Sequence, residues 1–142
     1  MLTLGFIIII PDAKFHGVRI HELNFRPPEQ LPPIRSRSIE DSNTFASLMA
    51  ITIKDVHIIM GYIEHKYKIS QPQFSLAGYS MGGALAIILN AVDNRISSLV
   101  ACVPPLEKPE KEVSGWNWPE EVVHALALIS PIHYASQQKS PI

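Results

Sequence analysis

Residues 74–89 read Phe-Ser-Leu-Ala-Gly-Tyr-Ser-Met-Gly-Gly-Ala-Leu-Ala-Ile-Ile-Leu. One apolar run ends on Gly78, a serine stands at position 80, and the glycine pair Gly82-Gly83 opens a second apolar run. The first run is too short for a helix, and the second is apolar nearly all round, as a buried helix is. The stretch therefore predicts a strand over Gln73–Ala77 and a helix from Ser80 or Met81 to about Asn90, with almost no loop between them. A strand that runs straight into a buried helix is half of a crossover unit, and crossover units build parallel sheets.

The rest of the chain extends this pattern. Gly5–Ile10 is a continuous apolar run closed by Pro11, the signature of a strand buried on both faces. Pro11 to about Arg37 is loop-like, because Pro27-Pro28 and Pro32-Pro33 forbid regular helix. Ser38 with Asp41 resembles a capping box, and Asp41 or Ser42 are alternative caps. Phe45, Met49, Ile53, Val56, Met60, Ile63 and Tyr67 then recur in steps of three and four along one face of a long helix. Glu64, Lys66 and Lys68 near its end read as solvated charge. Ile96–Val103 is a third strand closed by Pro104-Pro105, Glu107–Ser114 a charged loop, Pro119–Ile129 a helix with proline in its first turn, and Pro131–Ile142 a polar tail. The expectation is one α/β domain with a parallel sheet of about three strands and flanking helices, its crossovers right-handed.

At 142 residues with 46% hydrophobic residues and a net charge of −1, the chain suits one domain with a real core. No basic stripe points to nucleic acid. The apolar N-terminus is about half the roughly 20 residues a membrane span needs, and it lacks a basic leader and a cleavage site. The only cysteine, Cys102, rules out an internal disulfide and reads as a small core residue of the third strand. These features favour a cytoplasmic protein without membrane partners.

Gly78-Tyr79-Ser80-Met81-Gly82 has the form Gly-x-Ser-x-Gly at a strand-to-helix junction. A serine hydroxyl is a poor nucleophile unless it is presented bare and beside a base. A sharp turn lifts Ser80 off the carboxyl end of the strand, at the cost of backbone strain. The chain folds back so closely that glycine is expected at both Gly78 and Gly82. The helix that follows offers free N–H groups, of which that of Met81 is the candidate oxyanion donor. The structural alternative is a tight turn with packing glycines and an idle serine.

Three segments carry a family resemblance. GFIIIIPDAKFHGVR, FSLAGYSMGG and SPIHYASQQKSPI together make the chain resemble the middle of an α/β-hydrolase, in the branch of dienelactone hydrolases and prolyl-oligopeptidase-like esterases. The resemblance covers essentially the whole chain. It implies a serine hydrolase of small-molecule esters, less often of peptides, with no metal or organic cofactor. It also implies that Asp12 and His16-Gly17 are structural rather than catalytic.

In that family the acid and the histidine follow the serine. Asp93 is the only aspartate after Ser80, and it stands about 20 Å away along a helix rising about 1.5 Å per residue, so it belongs to a turn and not to a triad. His124 and His133 do not match the catalytic position. The resemblance therefore implies a central fragment, without the family's first strands and its acid and histidine region. A non-catalytic remnant or binding module is the competing reading, and a peptidase of the same fold is another. The same reasoning expects the long helix and the elbow helix on one sheet face, Gly5–Ile10 paired in parallel with Gln73–Ala77, and a bare apolar face that favours self-association.

Overall fold

The computed structural model describes residues 6–23, 39–69, 74–104 and 119–138. Its elements are α1 (Ile39–Tyr67), β1 (Phe74–Tyr79), α2 (Met81–Val92), β2 (Ile96–Cys102) and α3 (Glu120–Ala127). Short 3-10 helices span Gly17–Leu23 and Pro131–Gln137. β1 and β2 pair in parallel, with Leu76 opposite Leu99, Gly78 opposite Ala101 and Tyr79 opposite Cys102. Their connection is α2, so β1–α2–β2 is the crossover unit that the apolar runs predict.

One face of this sheet is covered. Met60 of α1, Leu89 of α2 and Ile96 of β2 form a buried cluster, with Phe74 and Leu76 of β1 packed against it. A larger cluster joins Leu48 and Met49 of α1, Ala84 and Ile88 of α2, Phe15 and Ile129. Both helices thus lie on the same side, as expected. The apolar stripe of α1 supplies Met49 and Met60 in full, whereas Tyr67 at its end is exposed. The 25 residues Asn43–Tyr67 are long and apolar enough to cross a membrane, a test that the core helix of a soluble protein also passes.

Several sequence expectations are corrected. Among the described residues the sheet has two strands, not the expected three or so. Residues 6–10 form no strand and are exposed, Ile10 at 88%; Gly5 lies outside the described residues. A continuous apolar run signals a strand only where a sheet covered on both faces receives it, and among the described residues nothing covers the second face here. Cys102 is likewise exposed, because its side chain leaves β2 on that open face. Asp41 and Ser42 fall inside α1, which already begins at Ile39, while Ser38 lies outside the described residues.

Polar residues depart from expectation for a related reason. Glu64 is not a solvated charge but is half-buried, with Arg95 on one carboxylate oxygen at 3.0 Å. Within the expected polar tail, Pro131–Gln137 form a 3-10 helix that docks on α2. The driving residue is Asn90, buried to 0% exposure in the apolar helix. A buried amide needs partners. Gln138 provides one, accepting from Asn90 Nδ2 at 2.7 Å while donating to the Ile87 carbonyl at 3.1 Å.

Candidate active site at the strand-to-helix turn

β1 ends at Tyr79 and α2 begins at Met81, so Ser80 alone makes the turn. Its backbone stands at φ 50°, ψ −118°. That is far from both the β region and the left-handed helical well, where ψ is about +47°. The surrounding bonds hold it there. Ser80 N–H donates to the Cys102 carbonyl at 2.9 Å, extending the ladder by one residue, and the Ser80 carbonyl accepts Ala84 N–H at 3.1 Å, closing the first turn of α2. The side chain makes no capping bond and is exposed. Among the described residues nothing hydrogen-bonds to its hydroxyl.

The glycines divide into different roles. A Cβ on Gly78 would fall inside the carbonyl of Gly82, backbone against backbone. Gly78 is therefore required by space. Gly82 is not: a Cβ there meets nothing within 4 Å, which corrects the expectation of a clash at both positions. The second tight glycine is Gly83, whose Cβ would lie 3.3 Å from the Cys102 carbonyl, the Gly78 carbonyl and Pro104 Cβ. Gly83 lets the exit of β2 lie against the start of α2. It is visible in the sequence only as the second member of a glycine pair.

Because Ala84 closes the first turn, the N–H groups of Met81, Gly82 and Gly83 precede any intrahelical partner. Among the described residues they have no acceptor. The start of α2 thus offers unpaired donors beside the Ser80 hydroxyl, and Met81 N–H is the first of them. A feature that sequence reasoning missed sits across the strand pair. Val103, next after the Cys102 that pairs with Tyr79, also has positive φ, at 47°, and is exposed. For a β-branched residue that is a real outlier. Both strand ends therefore turn sharply at the same level of the sheet, and Pro104 follows directly.

The candidate partners lie elsewhere. His133 is exposed in the last 3-10 helix, and its backbone N–H bonds Ser130. His124 is exposed on α3, 3.9 Å from Glu120. His16 keeps Nδ1 on the Lys14 carbonyl at 2.9 Å. Asp12 accepts Val18 N–H at 3.0 Å and closes on Gly17, whose φ is 54°. This loop is anchored by Lys14 N–H on Thr52 Oγ1 and by buried Phe15, so its acid and histidine serve local structure.

Asp93 does meet a histidine, but at the opposite end of α2 from Ser80. Its carboxylate is 2.9 Å from His57 Nδ1 and receives Arg95 through Nε, NH2 and the backbone N–H. Those Arg95 hydrogen bonds, working against burial, hold the Asp93 carboxyl down at about 2. Asp93 in turn raises Arg95 further above its ordinary range. Arg95 also reaches Glu64 of α1, so the group is a clamp between α1 and the α2–β2 turn. No cluster of three or more metal-ligating side chains occurs among the described residues.

No protein-family model matches the chain, and no curated protein and no solved structure matches it.

Proposed function

We propose that this chain carries the nucleophile of a serine hydrolase of the α/β-hydrolase type, acting on carboxylic esters. The observation that supports the reading is the conformation of Ser80. A non-glycine residue at φ 50°, ψ −118° is costly, and here it leaves an exposed hydroxyl at the start of a helix. In the reaction Ser80 Oγ attacks the ester carbonyl and gives up its proton to a base. The tetrahedral oxyanion accepts Met81 N–H, the alcohol departs with a proton, and water releases the acyl group from Ser80. Base and acid lie outside the set of described contacts, since among the described residues no histidine or carboxylate bonds the hydroxyl.

A fluorophosphonate probe tests the reading. It forms a bond from Ser80 Oγ to phosphorus and expels fluoride, with the hydroxyl proton going to a base or to water, so it records the reactivity of the serine without requiring a deacylation step. Labelling of the wild-type chain that disappears in Ser80→Ala supports the hydrolase. A chain that takes no label is the non-catalytic remnant instead.

A further inference from the structure

Strand β1 has one bonded edge, towards β2, and one open edge. Phe74 N–H and Ser80 N–H both donate across to β2. In a parallel ladder alternate residues point the same way, so Leu76 and Gly78 also face β2 while Ser75, Ala77 and Tyr79 face outward. These three residues present a row of N–H and C=O groups at the open edge. Sheets usually blunt such an edge with lysine, proline, a bulge or a covering loop. Here the edge residues are uncharged and contain no proline, and among the described residues nothing pairs with them.

The same chain carries an unused strand-former. Residues 6–10 are Phe-Ile-Ile-Ile-Ile, the composition most favourable to a strand. They are exposed between 42% and 88% and sit in no ladder. Five such residues extend about 17 Å, close to the length of β1. The segment is not closing on its own edge. Its downstream side is fixed by Lys14 N–H on Thr52, Phe15 in the core and Asp12 on Val18, and in that arrangement it stays unpaired.

We propose that the open edge of β1 is an assembly site, and that its occupant is the 6–10 segment of a second copy of this chain, added as a strand. Each copy supplies one edge and one segment, and with the exchange taken as reciprocal the pair closes as a two-fold dimer. Main-chain hydrogen bonds to Ser75, Ala77 and Tyr79 supply affinity, as in other strand additions. The exposed isoleucines leave water in the same step. This contact is independent of the hydrolase reading, since Ser80 N–H is already held by Cys102.

Sedimentation of the 142-residue chain at several concentrations tests it, with Ala77→Pro and Ile8→Pro as variants. Ala77→Pro deletes a donor on the open edge only, a place where proline is tolerated. Ile8→Pro breaks the donor segment, which lies outside the core. The expected result is a dimer for wild type and for Ser80→Ala, and a monomer for both proline variants, with unchanged far-ultraviolet dichroism. Hydrogen exchange gives a readout that needs no edge variant: the amides of Ser75, Ala77 and Tyr79 are protected in wild type and lose that protection in Ile8→Pro. A monomeric wild type overturns the proposal. So does an Ile8→Pro chain that still assembles, which points to the open sheet face. Assembly without protection of those three amides also overturns it, since the segment then docks elsewhere.

Discussion

Ser80 and Gly78 are two halves of one constraint. The serine holds its positive-φ backbone because β2 and α2 bond it from both sides, and the chain then passes so close to Gly78 that no Cβ fits. Gly78→Ala should therefore cost about 3 kcal/mol or more, since backbone cannot move aside as a side chain does. Gly82→Ala should be neutral or stabilise by up to about 1 kcal/mol, because it removes helical glycine entropy into open space. Ser80→Gly should raise stability by about 1–2 kcal/mol by relieving the strain. Urea midpoints of the three variants check the ordering; a Gly78→Ala chain as stable as wild type contradicts it. The sequence made the turn and the serine legible, but not which glycine is sterically required. Residue spacing says nothing of where a Cβ would point, and Gly83, outside the motif, turned out tighter than Gly82.

At the scale of elements, α1 is joined to the α2–β2 turn by the Asp93–Arg95–Glu64 clamp. Asp93 is depressed to about 2 in the folded chain, from an ordinary carboxylate value near 4. A depressed folded value means that the stabilisation is complete above about pH 4 and is lost as the pH falls towards 2. Its size is on the order of 2 kcal/mol. Asp93→Asn should lose that amount at pH 7 and flatten the stability profile between pH 4 and 2; urea titrations at pH 7 and pH 3 measure both effects. An Asn variant with the wild-type acid profile would assign the acid loss to other carboxylates. The sequence placed Asp93 in a turn correctly. It missed the clamp because Glu64 lies 31 residues before Arg95, and only the packing of α1 on α2 brings them together. Asn90 and Gln138 escaped notice for the same reason, being 48 residues apart.

For the whole molecule, the β–α–β unit and the common side of α1 and α2 were legible, because apolar periodicity reports which surfaces must be buried. What it does not report is whether a partner exists to bury them. Residues 6–10 have the pattern of an inner strand, yet they are exposed and sit in no ladder. The site divides in the same way: local chemistry at Ser80 is written in a few consecutive residues, whereas a base is a tertiary neighbour. Since no described histidine bonds the Ser80 hydroxyl, hydrolysis of p-nitrophenyl esters by the 142-residue chain should be slow, lacking most of what a triad contributes. Steady turnover that vanishes in Ser80→Ala would place a base at the serine after all.

If Ser80 is the nucleophile proposed above, it is folding itself that presents it. Peptide mapping by mass spectrometry after fluorophosphonate treatment tests it most directly, with the folded chain and the urea-unfolded chain treated in parallel. The expected result is an adduct that forms slowly on Ser80 in the folded chain, on no other serine, and none after unfolding. No adduct on Ser80, or equal labelling of folded and unfolded chains, would contradict it.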